Sequence, residues 1–349
     1  LVKFKKFVVI SLAVFATLLL PLTPYLLSGE RSARYKLVSI TDDPGLIPRI
    51  NENRGNSLLP KPLPRLVHNK ITYFAFYFTS NYLSHFTPQF LFIEGAPHKQ
   101  HHVQNIGELY YFQAPFLLIG VFALFYLRHK FKGILLSWLL LAFIPVSVTH
   151  DSIPHALRTL IAAPFYQLVS AFGFSITLKW MRKYTILLKI SSLMLLTWVI
   201  LVSIGYYLHQ YYQIYPVKYS RDWQYGNKQA VEYIDKHKDQ YDLVVFTRHY
   251  GEPHMFTLFY LNYDPAKYQN NRTLQRFETF DWVRVLRFDN FYFPDLGDKG
   301  TQFSDIVKEN IGKKLLFIGR KGDFPKETPR LLSIDFLNKE NAFDIVEVK

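Results

Sequence analysis

The residues of this chain best suited to chemistry lie in one short segment, residues 148–158, which covers the turn between two apolar stretches and the first helical turn of the second stretch. His155 and Arg158 are three positions apart, so on a helix they share a face, and Asp151 is four positions before His155 and can orient it. Ionisable side chains at a membrane boundary are costly and are usually functional. The segment therefore predicts a site for an anion at the depth of a lipid phosphate.

The helix that carries these side chains is expected to begin at Pro154. Proline suits the first helical position, and Asp151 or Ser152 before it can act as the N-cap. The N-terminus of such a helix adds partial positive charge and free N–H groups, which also favour an anion. The alternative is a plain helix cap with an arginine that extends to the membrane surface.

A second candidate cluster lies in the loop that follows the first apolar stretch. Arg49, Glu52 and Arg54 place two guanidinium groups and one carboxylate within a few residues. Because a guanidinium offers planar, bidentate donors, this cluster is a weaker candidate for binding an anion or a sugar. The alternative is an internal set of salt bridges that holds the loop together.

Three histidines, His98, His101 and His102, follow in the same loop. No carboxylate completes an obvious ligand set, and the chain has no cysteine, so we predict no metal site and leave dependence on a divalent metal open. His102 remains a weaker candidate near the site.

Five apolar stretches surround these residues. Each is close to the roughly 20 residues that cross the hydrocarbon core of a bilayer as a helix. Basic clusters border them on alternate sides, and short basic loops stay in the cytoplasm. This pattern predicts that the N-terminus is cytoplasmic and that the C-terminal region lies outside. The stretches are Phe7–Leu27, Tyr111–Leu127, Gly133–Val148, Pro154–Leu178 and Thr185–Leu208.

The predicted fold is a multi-span α-helical membrane protein with a C-terminal extracytoplasmic α/β domain. Residues 1–27 form one transmembrane helix, residues 28–110 an outer loop with an interfacial helix, and residues 111–208 four further transmembrane helices. Residues 209–349 alternate helix-like and strand-like runs, among them the amphipathic helix Asn227–His237 and the apolar strand Asp242–Thr247.

The net charge of +14 would suggest nucleic acid in a soluble protein. Here no nucleic-acid motif accompanies it. We attribute the excess to basic loops that set the topology and to attraction of anionic headgroups or a phosphate-bearing substrate.

Several strings follow one another along nearly the whole chain. They are Asp43-Pro-Gly-Leu-Ile-Pro-Arg-Ile-Asn-Glu-x-Arg54, His102 with Gly107-Glu-Leu-Tyr110, Pro115-Phe-Leu-Leu-Ile-Gly120, Pro154-His-x-Leu-Arg158 and Trp223-x-Tyr-Gly-x-Lys228. In this order they resemble bacterial membrane glycosyltransferases of the family 39 type, which are similar to the protein mannosyltransferases and the lipid A aminoarabinose transferase of the GT-C class.

The resemblance implies transfer of a sugar from a polyprenyl-phosphate carrier to a glycan, lipid or protein acceptor outside the cytoplasmic membrane. It assigns the carrier phosphate to His155 and Arg158, and it places the catalytic carboxylate in an earlier loop, which we expect upstream of Leu1. It implies no cofactor besides the lipid-linked donor. The alternative is a non-enzymatic, membrane-anchored binding or assembly protein whose exported α/β domain binds a partner. The donor sugar, the acceptor and the oligomeric state are not readable from the chain.

Overall fold

The computed structural model describes residues 2–24, 37–41, 43–126, 131–279, 283–297 and 300–349. The chain divides into two compact units, Leu1–Val199 and Ile200–Lys349. The first unit is helical and holds the candidate site, and the second is built on a sheet.

The helices of the first unit follow the apolar stretches and the outer loop. They are α1 (Val2–Leu19), α2 (Leu46–Gly55), α3 (Leu63–Val67), α4 (Lys70–Ser84), α5 (Gln113–Tyr126), α6 (Lys132–Ala142), α7 (Ile144–Ser147), α8 (Ala156–Thr159), α9 (Ala163–Met181) and the start of α10 (Ile186–His209).

Within the described residues, three helical runs are long and apolar enough to cross a membrane: Lys5–Leu22, Ala156–Met181 and Ile186–Lys218. The second and third predicted stretches form shorter apolar helices, of which α5 has 14 residues. A helix of that length spans about 21 Å, short of the roughly 30 Å hydrocarbon core. Membrane association is thus supported, and the five crossings stay a prediction. Residues 25–27, at the end of the first predicted stretch, lie outside the described residues. So do residues 127–130, which include the end of the second stretch and part of the basic cluster after it.

Helices α5 and α9 pack closely because glycines remove side chains at their contact. A Cβ on Gly120 would lie 2.1 Å from the carbonyl oxygen of Val169, and one on Gly173 would lie 1.8 Å from that of Phe116. Small residues of this kind allow helix backbones to approach in membranes. The contact fixes α9, the helix that directly follows the candidate site.

The outer loop contains a helix where an interfacial helix is predicted. Asn69 caps α4 by accepting from the backbone N–H of Ile71 and Thr72, and the Thr72 hydroxyl accepts from the Asn69 N–H, which completes a capping box. Ile71 is 80% exposed and Phe76 68% exposed. The apolar side chains of α4 are therefore available to a partner surface, as the prediction of a helix in the headgroup layer requires.

The second unit carries a seven-stranded sheet. The strands are β1 (Leu243–Phe246), β2 (Gln275–Glu278), β3 (Val283–Phe288), β4 (Phe291–Tyr292), β5 (Leu315–Gly319), β6 (Leu332–Asp335) and β7 (Asn341–Val348). Their order in the sheet is β2-β3-β4-β1-β5-β7-β6. Strand β1 pairs in parallel with β4 and β5, and the outer pairings are antiparallel. Its helices are α11 (Tyr215–Lys218), α12 (Asn227–His237), α13 (Pro253–Tyr260), α14 (Pro265–Gln269) and α15 (Phe303–Glu309).

Both faces of this sheet are buried. Phe246 and Phe343 pack on one face with α12, and Phe317 packs on the other with Ile306 of α15. The fully apolar β1 and β5 are typical of central parallel strands covered on two sides. The predicted C-terminal α/β fold is confirmed.

Candidate functional site

The loop between α7 and α8 is held by residues from two distant parts of the chain. The N–H of His150 donates to the carbonyl of Val38 at 2.8 Å, and the N–H of Ile40 donates to that of Val148 at 3.0 Å. The amide of Asn81 on α4 donates to the carbonyl of Thr149 at 2.7 Å. These bonds fix the backbone that presents Asp151.

The helix after this loop starts later than predicted. It begins at Ala156, and its N-cap is His155, whose backbone is extended with φ −122° and ψ 108°. The Nδ1 atom of His155 accepts from the backbone N–H of Arg158 at 3.3 Å. The prediction that Pro154 opens the helix and that Asp151 or Ser152 caps it is therefore wrong, because the histidine satisfies the free N–H itself.

His155 is 2% exposed and is tied to a second buried histidine. Its backbone N–H donates to Nε2 of His85 at 3.1 Å, and Nδ1 of His85 lies 2.7 Å from the carbonyl of Asn81, to which it donates. Burial lowers the pKa of His85 to about 4, although the hydrogen bond to the Asn81 carbonyl acts to raise it. A neutral ring with one donor and one acceptor nitrogen matches both bonds.

Asp151 contacts Arg158 rather than His155, which corrects the predicted pairing. One terminal nitrogen of Arg158 donates to the Asp151 carboxylate at 3.0 Å, and the other donates to the Thr149 hydroxyl at 2.9 Å. The Thr149 hydroxyl in turn donates to the carbonyl of Val146 at 2.7 Å. The guanidinium is thus oriented by two acceptors at the start of a candidate span.

Opposing effects act on the Asp151 carboxyl. Desolvation would raise its pKa, but the hydrogen bond from Ser152 and the charge of Arg158 outweigh it, so the pKa lies below its ordinary value. The carboxylate is therefore ionised at neutral pH, and it neutralises Arg158 until another anion competes.

Three imidazoles stack beside this pair. The ring centroids of His98 and His101 are 3.8 Å apart, and those of His101 and His155 are 4.9 Å apart. Desolvation lowers the pKa of His101, with a further contribution from His98, and desolvation and Arg158 lower that of His155 to about 4. The imidazole rings offer N–H donors to an incoming anion. Across the described ranges, no group of three or more histidine, aspartate or glutamate side chains could hold a metal ion.

The second predicted cluster is occupied by contacts within the outer loop. Arg49 forms an ion pair with Asp43 and donates to the Tyr77 hydroxyl at 3.0 Å, and Arg54 donates to the carbonyl of His68 at 2.6 Å. Glu52 is exposed on α2. These contacts favour the alternative in which the arginines hold the loop.

A cavity of about 600 Å³ nevertheless opens beside Arg49. Its walls combine aromatic rings with polar groups, a composition that suits a sugar ring as well as an apolar ligand. The lining residues are Arg49, Asn53, Leu66, Val67, His68, Thr72, Tyr73, Phe76 and Tyr77.

His102 lies within its own turn. Its Nε2 is 2.5 Å from the carbonyl of Ile106, and its Nδ1 is 3.3 Å from the Glu108 carboxylate. A Cβ on Gly95 would lie 1.9 Å from its Nε2, so the ring fills space that only a glycine leaves open. These contacts give His102 a structural role in the loop.

The structure thus brings Asp151, His155 and Arg158 together, and it adds partners that local spacing does not reveal. Thr149 lies within the predicted segment 148–158, and its hydroxyl was an available signal. His85 is about 70 positions earlier and is recognisable only through the fold.

Comparisons with protein-family models, curated proteins and solved structures return no match to this chain.

Proposed function

We propose that this chain takes part in transfer of a sugar from a polyprenyl-phosphate carrier to an acceptor outside the cytoplasmic membrane, and that Arg158 binds the carrier phosphate. The observation that carries the proposal is the Arg158 guanidinium, held by Thr149 and Asp151 where the candidate span Ala156–Met181 begins. The resemblance to family 39 glycosyltransferases supplies the reaction class.

The chemistry requires cationic donors at this position. When the glycosidic bond breaks, negative charge develops on the phosphate oxygens of the leaving group. A preoriented guanidinium stabilises that charge, and loss of one such donor in an enzyme typically reduces the rate about 10²–10³-fold. The N–H groups of His98 and His101 can supplement Arg158, since the centroids of these rings lie 6.4 Å and 4.9 Å from that of His155.

The charge distribution along the sequence supports an anionic ligand here. Asp151 is the one acidic residue of the sequence between Glu108 and Asp222. A phosphate that approaches Arg158 therefore meets a single carboxylate from this whole region. The acceptor hydroxyl still needs a carboxylate base within hydrogen-bond reach. Asp151 serves to orient Arg158, and the base comes from another segment.

The topology that fits this proposal places the N-terminus in the cytoplasm and Arg158 at the outer face. Lys179 lies in the last turn of the same span and Arg182 and Lys183 follow it, and together they occupy the inner face, as basic short loops do. The sheet unit then lies outside, where it can contact the acceptor.

The test is a transfer assay on the full-length gene product with defined polyprenyl-phosphate sugars. Arg158→Ala is expected to reduce transfer by at least about 100-fold. Arg65→Ala, which changes an exposed arginine of α3 in the outer loop, is the control and should retain wild-type activity. Both variants must show wild-type membrane insertion and Tm. Full activity of a folded Arg158→Ala protein would refute the proposed role.

A non-enzymatic binding protein is the second candidate, and the separate sheet unit favours it. This unit has its own apolar core on both faces of the sheet, so it can present a binding surface without the helical unit. On this reading, deletion of residues 209–349 abolishes function while Arg158→Ala leaves it intact. The two variants together therefore separate the candidates.

A further inference from the structure

A groove of about 450 Å³ runs between α5, α9 and the first half of α10, away from the candidate site. Its walls are largely apolar, and two cationic side chains stand among them. The lining residues are Phe116, Phe174, Thr177, Leu178, Met181, Arg182, Lys189, Ser192, Leu193 and Leu196.

Both cationic residues of this groove are anchored at the end of α9, where Arg182 is the C-cap residue. The Lys189 ammonium donates to the backbone carbonyl of Arg182 at 3.1 Å, which caps the helix where its free carbonyls carry partial negative charge. Lys189 is only partly exposed, although it belongs to the first turns of a candidate span. Its charge is therefore held at the groove rather than released into bulk water.

The neighbouring parts of the sequence supply no carboxylate that could neutralise these two charges. The chain has no aspartate or glutamate from residue 152 to residue 221, and among the described residues no acidic side chain lines the groove. Cations next to hydrocarbon are costly without a counter-ion. The apolar walls, and two cations that no acidic side chain in the described lining neutralises, together call for an anion with an apolar tail.

We propose that this groove binds one acidic phospholipid of the membrane. Its acyl chains pack against Phe174, Leu193 and Leu196, and its phosphate binds Arg182 and Lys189. Basic pockets between membrane helices on the cytoplasmic side bind such headgroups, and the groove volume lies within the range of ligand sites.

The site is distinct from the proposed carrier site. Arg158 lies near the start of the 26-residue run Ala156–Met181, and Arg182 directly follows its end. A helix of that length extends about 39 Å, which exceeds the hydrocarbon thickness of a bilayer. The two arginines therefore reach opposite leaflets and cannot share one phosphate.

The experiment measures lipid retention by the full chain in nanodiscs and by native mass spectrometry. The probes are phosphatidylglycerol and phosphatidylcholine with matched acyl chains. We expect at least tenfold preference for phosphatidylglycerol in the wild type. Arg182→Gln combined with Lys189→Met should abolish that preference, whereas Lys183→Gln should stay within twofold of the wild type. Lys183 is the matched control because it neighbours Arg182, is exposed and does not line the groove.

A second variant keeps the charges and fills the groove. Leu193 is 58% exposed, so Leu193→Trp can fold, and it should lose phosphatidylglycerol at unchanged Tm. Equal retention of both lipids, or an equal loss in Lys183→Gln, would overturn the proposal in favour of unspecific surface charge. Displacement of phosphatidylglycerol by an equimolar polyprenyl phosphate would overturn it in favour of the carrier.

Discussion

Arg158 donates to the Asp151 carboxylate across 3.0 Å, seven positions back along the chain. The two side chains are about one quarter and two fifths exposed, so water screens the pair in part. The main effect of this ion pair is to orient the guanidinium rather than to stabilise the fold.

A double-mutant cycle should detect this modest coupling. Asp151→Asn and Arg158→Gln, made singly and together, are expected to show a coupling free energy of about 0.5–1 kcal/mol in equilibrium unfolding in mixed micelles. A partly exposed pair gains little because screening reduces the attraction. Zero coupling, or a value above about 2 kcal/mol, would contradict the partly screened geometry.

Buried His85 should make the helical unit sensitive to mild acid. Its pKa is lowered from 6.5 to about 4 in the folded state, so the unfolded state binds more protons between these values. The free energy of unfolding should therefore fall as the pH drops from 6.5 towards 4 and level off below. His85 contributes at most on the order of 3 kcal/mol to this loss, and His155, whose pKa is also lowered to about 4, adds its own contribution.

The measurement is Tm against pH, read by tryptophan fluorescence of the purified chain. His85→Gln cannot be protonated, so its profile should be flatter although its Tm at neutral pH is lower. His209→Gln, at an exposed position, should keep the wild-type profile. An unchanged slope in His85→Gln would show that another group causes the acid sensitivity.

The contact between α5 and α9 should be intolerant of one extra methyl group. In Gly173→Ala the new Cβ would lie 1.8 Å from the Phe116 carbonyl oxygen, and backbone cannot move aside as a flexible side chain can. We expect a loss of about 1–3 kcal/mol in unfolding free energy. A Tm within one degree of wild type would refute the close packing.

Gly205→Ala is the matched control for that variant. Gly205 also lies in a helix, and a Cβ there meets no atom within 4 Å. Because alanine favours a helix over glycine by about 1 kcal/mol, this change should be neutral or slightly stabilising.

The sheet unit should depend on a buried carboxylate between its last two strands. Asp344 is 3% exposed and accepts from Arg330, Ser333 and Asn341. Asp344→Ala removes one partner of a buried ion pair and should cost about 3–5 kcal/mol. The readout is the unfolding midpoint followed by circular dichroism.

Asp335→Ala provides the comparison, since Asp335 is exposed on the neighbouring strand β6. It should change stability by less than about 0.5 kcal/mol. Equal effects of the two substitutions would show that the Asp344 contacts do not stabilise the sheet.

The sequence by itself determined the elements whose signals are local. The amphipathic period predicted α12 at Asn227–His237, and the apolar run at Asp242–Thr247 predicted β1, because burial on one helix face or on both strand faces leaves its pattern in consecutive residues. It also identified Asp151, His155 and Arg158 as neighbouring polar residues at the start of a candidate span.

Only the tertiary structure decided how those residues are used. The spacing predicted that Asp151 contacts His155 on a helix that begins at Pro154. In the structure, Asp151 contacts Arg158 instead. Asn81 and His85 bind the backbone of Thr149 and His155, and the loop continues as far as His155. Those partners lie far away in sequence, and their hydrogen bonds leave no local period to read. The order of the strands and the close approach of Gly173 to Phe116 likewise depend on long-range packing, whose free energy no short stretch of sequence contains.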